Sequence, residues 1–190
     1  KINQSPIEEF LSKKNLNLRR SSSLTNEEEF KFFKNLSPDL VVVVAYGQII
    51  PENFLKIPKF GFINIHASLL PKWRGAAPIQ RAIMNEDKKI GVSIMKIEEK
   101  LDSGPVLDSK EFELDKNATH GEIEKKLSLE GANLLIQNLK SIENGNSKFT
   151  DQNHSQATYA KKISKNETKI NWNIDANKVL AHIHGLSPNP

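Results

Sequence analysis

The sequence predicts an α/β fold with a mainly parallel sheet, and three features carry this prediction. The apolar run at residues 40–44 holds four consecutive valines, which is typical of a strand covered on both faces. Further strand patterns at residues 62–65 and 92–97 alternate with helical patterns, as in layered α/β proteins. The longest helical pattern spans residues 119–144 with apolar side chains at helical spacing, and Gly145 suits the position after its end.

The other elements are predicted from local start and stop signals. Ser5 followed by Pro6 combines a helix cap with a first-turn proline and predicts a helix to about residue 14. Thr25 and Glu28 form a capping box for a second helix, to about residue 35. Further helices are expected at residues 76–85 and 175–184, and short strands at residues 16–18, 106–112 and 169–172.

Domain organisation is predicted from a change in composition after the long helix. Residues 145–158 are rich in Asn, Ser and Gln and lack periodicity, which indicates a connecting segment. We therefore expect one domain over residues 1–145, followed over 146–190 by a linker and the start of a further region. Because the chain starts at Lys1 and ends in Ser-Pro-Asn-Pro, we expect it to be part of a longer protein.

Composition narrows the possible functions. The chain contains no cysteine, which excludes disulfides, thiolate metal sites and a cysteine nucleophile. No apolar run approaches the roughly 20 residues of a membrane helix, so no membrane partner is expected. The net charge of +4 is compatible with an anionic partner such as RNA, but abundant lysine throughout the chain explains it equally well.

Three polar side chains stand at the ends of apolar strands. Asn64 and His66 are two positions apart, so on a strand they project from the same face, about 7 Å apart. Asp102 follows another apolar strand, in a Leu-Asp-Ser-Gly turn. A carboxylate beside an imidazole orients the ring and favours its charged form, and an amide adds a second donor. The set predicts stabilisation of an oxyanion in acyl transfer, although His66 alone could be a hydrogen-bonded core histidine and Asp102 alone a turn residue.

Other chemistries have weaker support. The sequence contains no dinucleotide-binding glycine motif, no phosphate-binding loop and no H-E-x-x-H motif. Ser68 lacks the context of a nucleophile elbow. Lys72, Trp73 and Arg74 could contact an anionic substrate or form a solvated basic loop. The remaining histidines are not expected to be catalytic; they are His120, His154, His182 and His184.

The stretches NIHASLLPKWRGAAPIQRAI and GVSIMKIEEKLDSGPVL strongly resemble the formyltetrahydrofolate-dependent formyltransferases. Flanking segments at residues 41–51 and 158–172 agree, so the resemblance covers essentially the whole chain. The stretch WRGAAPIQ resembles in particular the methionyl-tRNA formyltransferases. The resemblance implies a Rossmann-like formyltransferase domain over residues 1–145 that lacks its first strand-helix-strand unit, and it implies a C-terminal β-barrel beyond residue 190.

The resemblance also implies roles for individual residues. The catalytic Asn, His and Asp of the family correspond to Asn64, His66 and Asp102, and its folate-binding segment to Ser68, Leu69, Leu70 and Pro71. The implied reaction is formyl transfer from 10-formyltetrahydrofolate, without a metal, to the α-amine of initiator methionyl-tRNA for translation initiation. A monomer is expected, in a bacterial-type cytoplasm or an organelle matrix.

Two other functions stay open on this reasoning. A sugar-nucleotide or ribotide N-formyltransferase would carry the same catalytic trio and differ only in its acceptor. A folate-binding or RNA-binding fragment without turnover is the alternative of a different class.

Overall fold

The computed structural model describes residues 5–21 and 23–189. Of the domain expected over residues 1–145, residues 1–4 and residue 22 lie outside the described part. Six α-helices and six strands are assigned within it. The helices are α1 (Pro6–Lys14), α2 (Glu27–Leu36), α3 (Glu52–Leu55), α4 (Pro78–Met84), α5 (His120–Glu143) and α6 (Ala176–Gly185). The strands are β1 (Val41–Val43), β2 (Phe62–His66), β3 (Arg74–Gly75), β4 (Lys89–Lys96), β5 (Val106–Glu113) and β6 (Tyr159–Ala160).

The helix predictions from capping signals are confirmed, with one change. Ser5 caps α1 and Thr119 caps α5, each through a reciprocal capping box. Gly145 follows α5 with a φ of +68°, a conformation that glycine adopts at little cost. The cap of α2 is Asn26 rather than Thr25, because the Asn26 side chain accepts a hydrogen bond from the Glu28 amide.

The α/β class is confirmed, while the strand directions are mixed. The main sheet has the order β1-β2-β4-β5, in which β1 and β2 are parallel. The pairs β2–β4 and β4–β5 are antiparallel. The prediction of a mainly parallel sheet therefore holds within these four strands only for β1 and β2. Strand direction depends on how each connection returns to the sheet, and apolar runs carry no information about that.

Strand β1 is less buried than its sequence predicts. Val42 is 41% exposed and Val44 is 60% exposed. Within the described residues β1 pairs only with β2, so its other edge is unpaired. The strand was predicted to be covered on both faces, but in this structure it is an edge strand with partly exposed valines. Burial of a strand requires neighbouring elements as well as apolar side chains.

Two short strands predicted at the ends of the chain are absent. Residues 16–18 are extended without a strand partner, and residues 169–172 follow a turn of 3-10 helix at Lys165–Thr168. An alternating pattern becomes a strand only where another strand supplies hydrogen bonds. Among the described residues, no helix is both long and apolar enough to span a membrane.

Helix α5 covers one face of the sheet and holds its central strands in place. Ile63 of β2 and Ile94 of β4 are fully buried against Leu134 and Ile142 of α5. A second cluster joins α4 and α5 through Ile79, Ala82, Ile83, Ile123 and Leu127, together with Ile90 of β4. The strand that carries Asn64 and His66 therefore belongs to one of these buried clusters.

An arginine of α4 attaches the C-terminal segment to this core. Arg81 Nε and Nη2 donate to the carbonyl of Lys161 at 3.0 and 2.9 Å, and Nη1 donates to Glu167 Oε1 at 2.6 Å. The hydrogen bond from Arg81 is the largest cause that lowers the pKa of Glu167, from 4.5 to about 2, and the Ser164 amide contributes next.

We expect the Arg81–Glu167 contact to weaken at acid pH. The pKa of Glu167 is lower in the folded state, so its contribution to stability is present above about pH 4.5 and is lost as the pH falls through about 2. At neutral pH, Arg81→Ala should accelerate amide hydrogen exchange at residues 161–168. Lys31→Ala, which removes an exposed ion pair with Glu27 on α2, is the control. Unchanged exchange in Arg81→Ala would show that other contacts hold the segment.

Candidate active site

Strand β2 sets the direction of Asn64 and His66. Ile63 and Ile65 pack on the α5 side of the sheet, so the alternating residues Asn64 and His66 project from the opposite face. His66 is 6% exposed, and Asn64 is half-buried. The Asn64 side chain has no hydrogen-bond partner among the described residues, so its amide is available to a ligand.

A backbone carbonyl orients the His66 ring. His66 Nε2 lies 2.9 Å from the Trp73 carbonyl oxygen, which can only accept, so Nε2 carries a hydrogen and donates it. This contact turns Nδ1 towards Asp102, with 3.8 Å between Nδ1 and Asp102 Oδ2. A neutral ring would present a lone pair to that carboxylate, whereas the imidazolium presents an N–H. Because 3.8 Å is longer than a hydrogen bond, an N–H at Nδ1 can still donate to a developing oxyanion that lies beside the carboxylate.

The turn between β4 and β5 brings Asp102 to His66. Strands β2 and β4 are neighbours, and the turn after β4 folds back towards the face that carries His66. Asp102 has a φ of +46°, an unusual value for a residue with a side chain, and it is 15% exposed at the side chain. Its Oδ2 accepts a hydrogen bond of 2.8 Å from the Gly75 amide. The structure thus joins Asp102 both to His66 and to the loop after residue 71.

The predicted folate-binding segment is a turn whose polar atoms are already paired. Ser68 Oγ donates to the Lys72 carbonyl at 2.6 Å, and Ser93 Oγ donates to the Ser68 carbonyl at 2.8 Å. The Leu70 amide donates to Ser93 Oγ at 3.2 Å. Ser68 therefore shapes the turn, and the surface left for a ligand is mainly that of Leu69, Leu70 and Pro71.

A cavity of about 730 Å³ lies beside this turn. All four residues of Ser68–Pro71 line it, together with Trp73, Ile90 and the rim residues Lys88, Lys89 and Glu111. The catalytic candidates Asn64, His66 and Asp102 do not line it. Trp73 is the link, because its side chain faces the cavity while its carbonyl oxygen holds His66. The cavity therefore lies beside the trio rather than around it.

The basic loop at residues 72–75 divides into exposed and buried parts. Lys72 is exposed, whereas Arg74 is only 3% exposed. Arg74 Nη2 lies 2.7 Å from Gln152 Oε1 and 2.9 Å from His154 Nδ1. The interpretation of Arg74 as part of a solvated basic loop is therefore wrong, because its guanidinium is bound by Gln152 and His154.

Sequence reasoning missed Gln152, which lies in the segment predicted to be a simple connection. Gln152 is 7% exposed, and its Nε2 donates to the carbonyls of Asp102 at 3.0 Å and Gly104 at 2.7 Å. Strand β6 then pairs in parallel with β3. No local pattern marks Gln152, because its partners are distant in sequence.

Comparison with known proteins assigns the family. A sequence model described as formyl transferase matches residues 1–139. The chain belongs to the formyl transferase family. The methionyl-tRNA formyltransferase of Pelagibacter ubique is 49% identical over 191 residues, which cover 100% of this chain and 62% of that protein. This formyl transferase chain thus spans about three fifths of the length of that curated relative.

Solved structures agree on the fold of this formyl transferase. A sugar N-formyltransferase from a Shewanella species has a TM-score of 0.79 at 24% identity, over 98% of this chain and 73% of that one. An N-formyltransferase from Helicobacter canadensis, solved with folinic acid and dTDP-3-aminofucose, has a TM-score of 0.66 at 23% identity, over 74% of this chain and 52% of that one. At these identities the likeness supports the fold alone.

Gly75 is required by the close approach of two backbones. It has a φ of +113°, and a Cβ there would lie 2.8 Å from the Ala160 carbonyl oxygen. We expect Gly75→Ala to lower the free energy of unfolding by about 1–3 kcal/mol, measured by urea denaturation. Gly47→Ala is the control for stability, because a Cβ at Gly47 meets nothing within 4 Å. Equal stability of the two variants would contradict this account of Gly75.

Proposed function

We propose that this protein transfers the formyl group of 10-formyltetrahydrofolate to the α-amine of methionyl-tRNA. The observation that carries the proposal is the 3.8 Å approach of Asp102 to the buried His66 ring, on the strand face that also carries Asn64. Family membership limits the reaction class, and the 49% identity to a methionyl-tRNA formyltransferase favours this acceptor.

In the proposed reaction, the bonds formed and broken balance without an oxidant or a metal. The uncharged α-amine attacks the formyl carbon, forming a C–N bond and turning the carbonyl oxygen into an oxyanion. The tetrahedral intermediate collapses, the bond from the formyl carbon to folate N10 breaks, and N10 takes up the proton that the amine loses. The products are formylmethionyl-tRNA and tetrahydrofolate.

Each member of the trio has a role that its position supports. His66 Nδ1–H and the Asn64 amide donate to the oxyanion, which is the species whose charge develops during the reaction. Asp102 stabilises the charged imidazole, and it accepts the proton of the attacking amine and delivers it to N10. The Gly75 amide, at 2.8 Å from Asp102 Oδ2, holds the carboxylate in place.

The folate is proposed to lie against Ser68, Leu69, Leu70 and Pro71. These residues line the 730 Å³ cavity, and the apolar ones offer a surface for an aromatic ring system. Ser68 acts through the shape of the turn, since its hydroxyl is bonded to the Lys72 carbonyl. The formyl end must extend from this surface, past Trp73, to reach His66.

The identity of the formyl acceptor is the part of the proposal to be tested first. The purified protein, supplied with 10-formyltetrahydrofolate, is assayed with methionyl-tRNA and with a dTDP-amino sugar. We expect kcat/KM for methionyl-tRNA to be larger by at least about two orders of magnitude, as expected where buried polar groups are matched to one acceptor. Faster formylation of the sugar nucleotide would favour that alternative instead, and binding of folate and tRNA without transfer would indicate a module without turnover.

Three further expectations belong to this proposal. Residues 1–145 are proposed to form the catalytic domain and residues 146–190 the beginning of the C-terminal region, with 150–160 contributing to the site through Gln152. The protein is proposed to be a monomer, which sedimentation would test. A cytoplasmic location of the bacterial type is proposed from the bacterial source of the relative in Pelagibacter ubique.

A further inference from the structure

We propose that Gln152 is a positioning residue that holds the Asp102 turn in its reactive geometry. This inference rests on the proposed function, because it assigns Gln152 an effect on the step that Asp102 carries out. Gln152 does not touch the reacting atoms. It acts on the backbone on either side of the carboxylate.

The Gln152 side chain uses both ends of its carboxamide. Its Nε2 donates to the carbonyls of Asp102 at 3.0 Å and Gly104 at 2.7 Å, so both of its hydrogens are engaged by one turn. Its Oε1 accepts from Arg74 Nε at 3.1 Å and Nη2 at 2.7 Å. Gln152 is 7% exposed and takes part in these four hydrogen bonds. It therefore connects the Asp102 turn to the Arg74 loop.

The charge of Arg74 strengthens this bridge. A guanidinium that donates to Oε1 polarises the carboxamide and makes the opposite N–H groups better donors. Arg74 is 3% exposed and forms no ion pair with a carboxylate within the described part of the chain. The Arg74 guanidinium therefore interacts with the Gln152 Oε1 oxygen and with His154 Nδ1, which lies 2.9 Å from Nη2.

The Asp102 turn needs such support. Asp102 adopts a φ of +46°, a conformation that costs free energy for a non-glycine residue and persists where the surroundings impose it. Gln152 fixes the Asp102 carbonyl, while Gly75 fixes the carboxylate at Oδ2. Gln152 is itself anchored on both sides, by the Thr150–Val106 bridge and by the pairing of β6 with β3. A shift of about 1 Å at Asp102 is enough to lower the rate by about 10²-fold.

The first test reads the geometry without an activity assay. The Gly75 amide donates to Asp102 Oδ2 at 2.8 Å, so its chemical shift and hydrogen exchange report the carboxylate position. In Gln152→Ala we expect the Gly75 resonance to shift and its exchange to accelerate. Gln137→Ala, at an exposed position on α5, is the control and should leave Gly75 unchanged. An unchanged Gly75 amide in folded Gln152→Ala would overturn the inference.

The second test asks whether Gln152 acts through Asp102. In the wild-type background, Gln152→Ala should lower kcat by about 10- to 100-fold, with the KM for folate within about twofold. In an Asp102→Asn background the same change should lower kcat by less than about threefold, because the group that Gln152 positions is already disabled. Equal losses in the two backgrounds would show a general structural role and overturn the inference.

A second variant covers the case in which Gln152→Ala fails to fold. Gln152→Glu keeps the size of the side chain and can pair with Arg74, but it loses both donors to the turn. We expect Gln152→Glu to fold, with a lower melting temperature because its carboxylate oxygen faces two carbonyl oxygens, while kcat falls by at least about tenfold. Wild-type turnover in Gln152→Glu would overturn the inference. If the wild-type protein itself transfers no formyl group, the proposed function fails, and the Gly75 amide still tests the positioning role.

Discussion

Replacement of either proposed oxyanion donor, His66 or Asn64, is expected to lower kcat/KM for formyl transfer by on the order of 10²–10³-fold. His66→Ala removes the ring whose Nε2 is bound by the Trp73 carbonyl and whose Nδ1 faces Asp102. Asn64→Ala removes an amide that has no partner among the described residues and is therefore free to donate to substrate. Each variant is compared with the wild type by steady-state kinetics with methionyl-tRNA and 10-formyltetrahydrofolate.

Two matched variants separate this effect from a general loss of structure. Asn64→Asp preserves the size of the side chain but removes the N–H donor, and it should be impaired as much as Asn64→Ala. His120→Ala, at the first turn of α5, changes a histidine outside the proposed site and should leave kcat/KM within about twofold. Near-normal turnover in either His66→Ala or Asn64→Ala would remove the basis of the proposed mechanism.

Asp102→Asn is expected to have the larger effect, on the order of 10³–10⁴-fold in kcat. The carboxamide oxygen can still accept the Gly75 amide, so the turn should keep its shape. The variant loses the negative charge opposite His66 and the group that accepts the amine proton. Steady-state kinetics measure this loss, and urea denaturation checks that the fold is retained.

The control for Asp102→Asn is a second Asp→Asn substitution, which removes one negative charge outside the proposed site. Asp39→Asn, at an exposed position before β1, alters the net charge equally without touching the site. Its kcat should equal that of the wild type, and both variants should unfold within about 1 kcal/mol of it. If Asp102→Asn retained more than a tenth of wild-type kcat, Asp102 would not be the proton carrier.

Elements with strong local signals were predictable from the sequence. Ser5 before Pro6 predicted the start of α1 from adjacent residues, whereas the capping box predicted at Thr25 was wrong because Asn26 caps α2. The strands predicted at residues 62–65, 92–97 and 106–112 are confirmed as β2, β4 and β5. Strands at residues 16–18 and 169–172 were wrong because a short alternating pattern does not specify a hydrogen-bonding partner.

The proposed site was predictable in part. The choice of Asn64, His66 and Asp102 as candidates followed from polar residues at strand ends and from the family resemblance. The structure adds the distance between His66 and Asp102, and it adds a ring orientation that depends on the Trp73 carbonyl. A backbone carbonyl is present at every residue, so no residue type could have marked that contact.

The sequence by itself determined the start of α1, the apolar strands β2 and β4, the shared face of Asn64 and His66, and the family motifs. These depend on periodicity and on contacts between residues close together in the chain. Only the tertiary structure decided the strand directions, the burial of Arg74 and the bridge that Gln152 forms between two distant loops. The reason is physical: a hydrogen bond from residue 152 to residue 104 depends on the path of the whole chain between them, which no local pattern encodes.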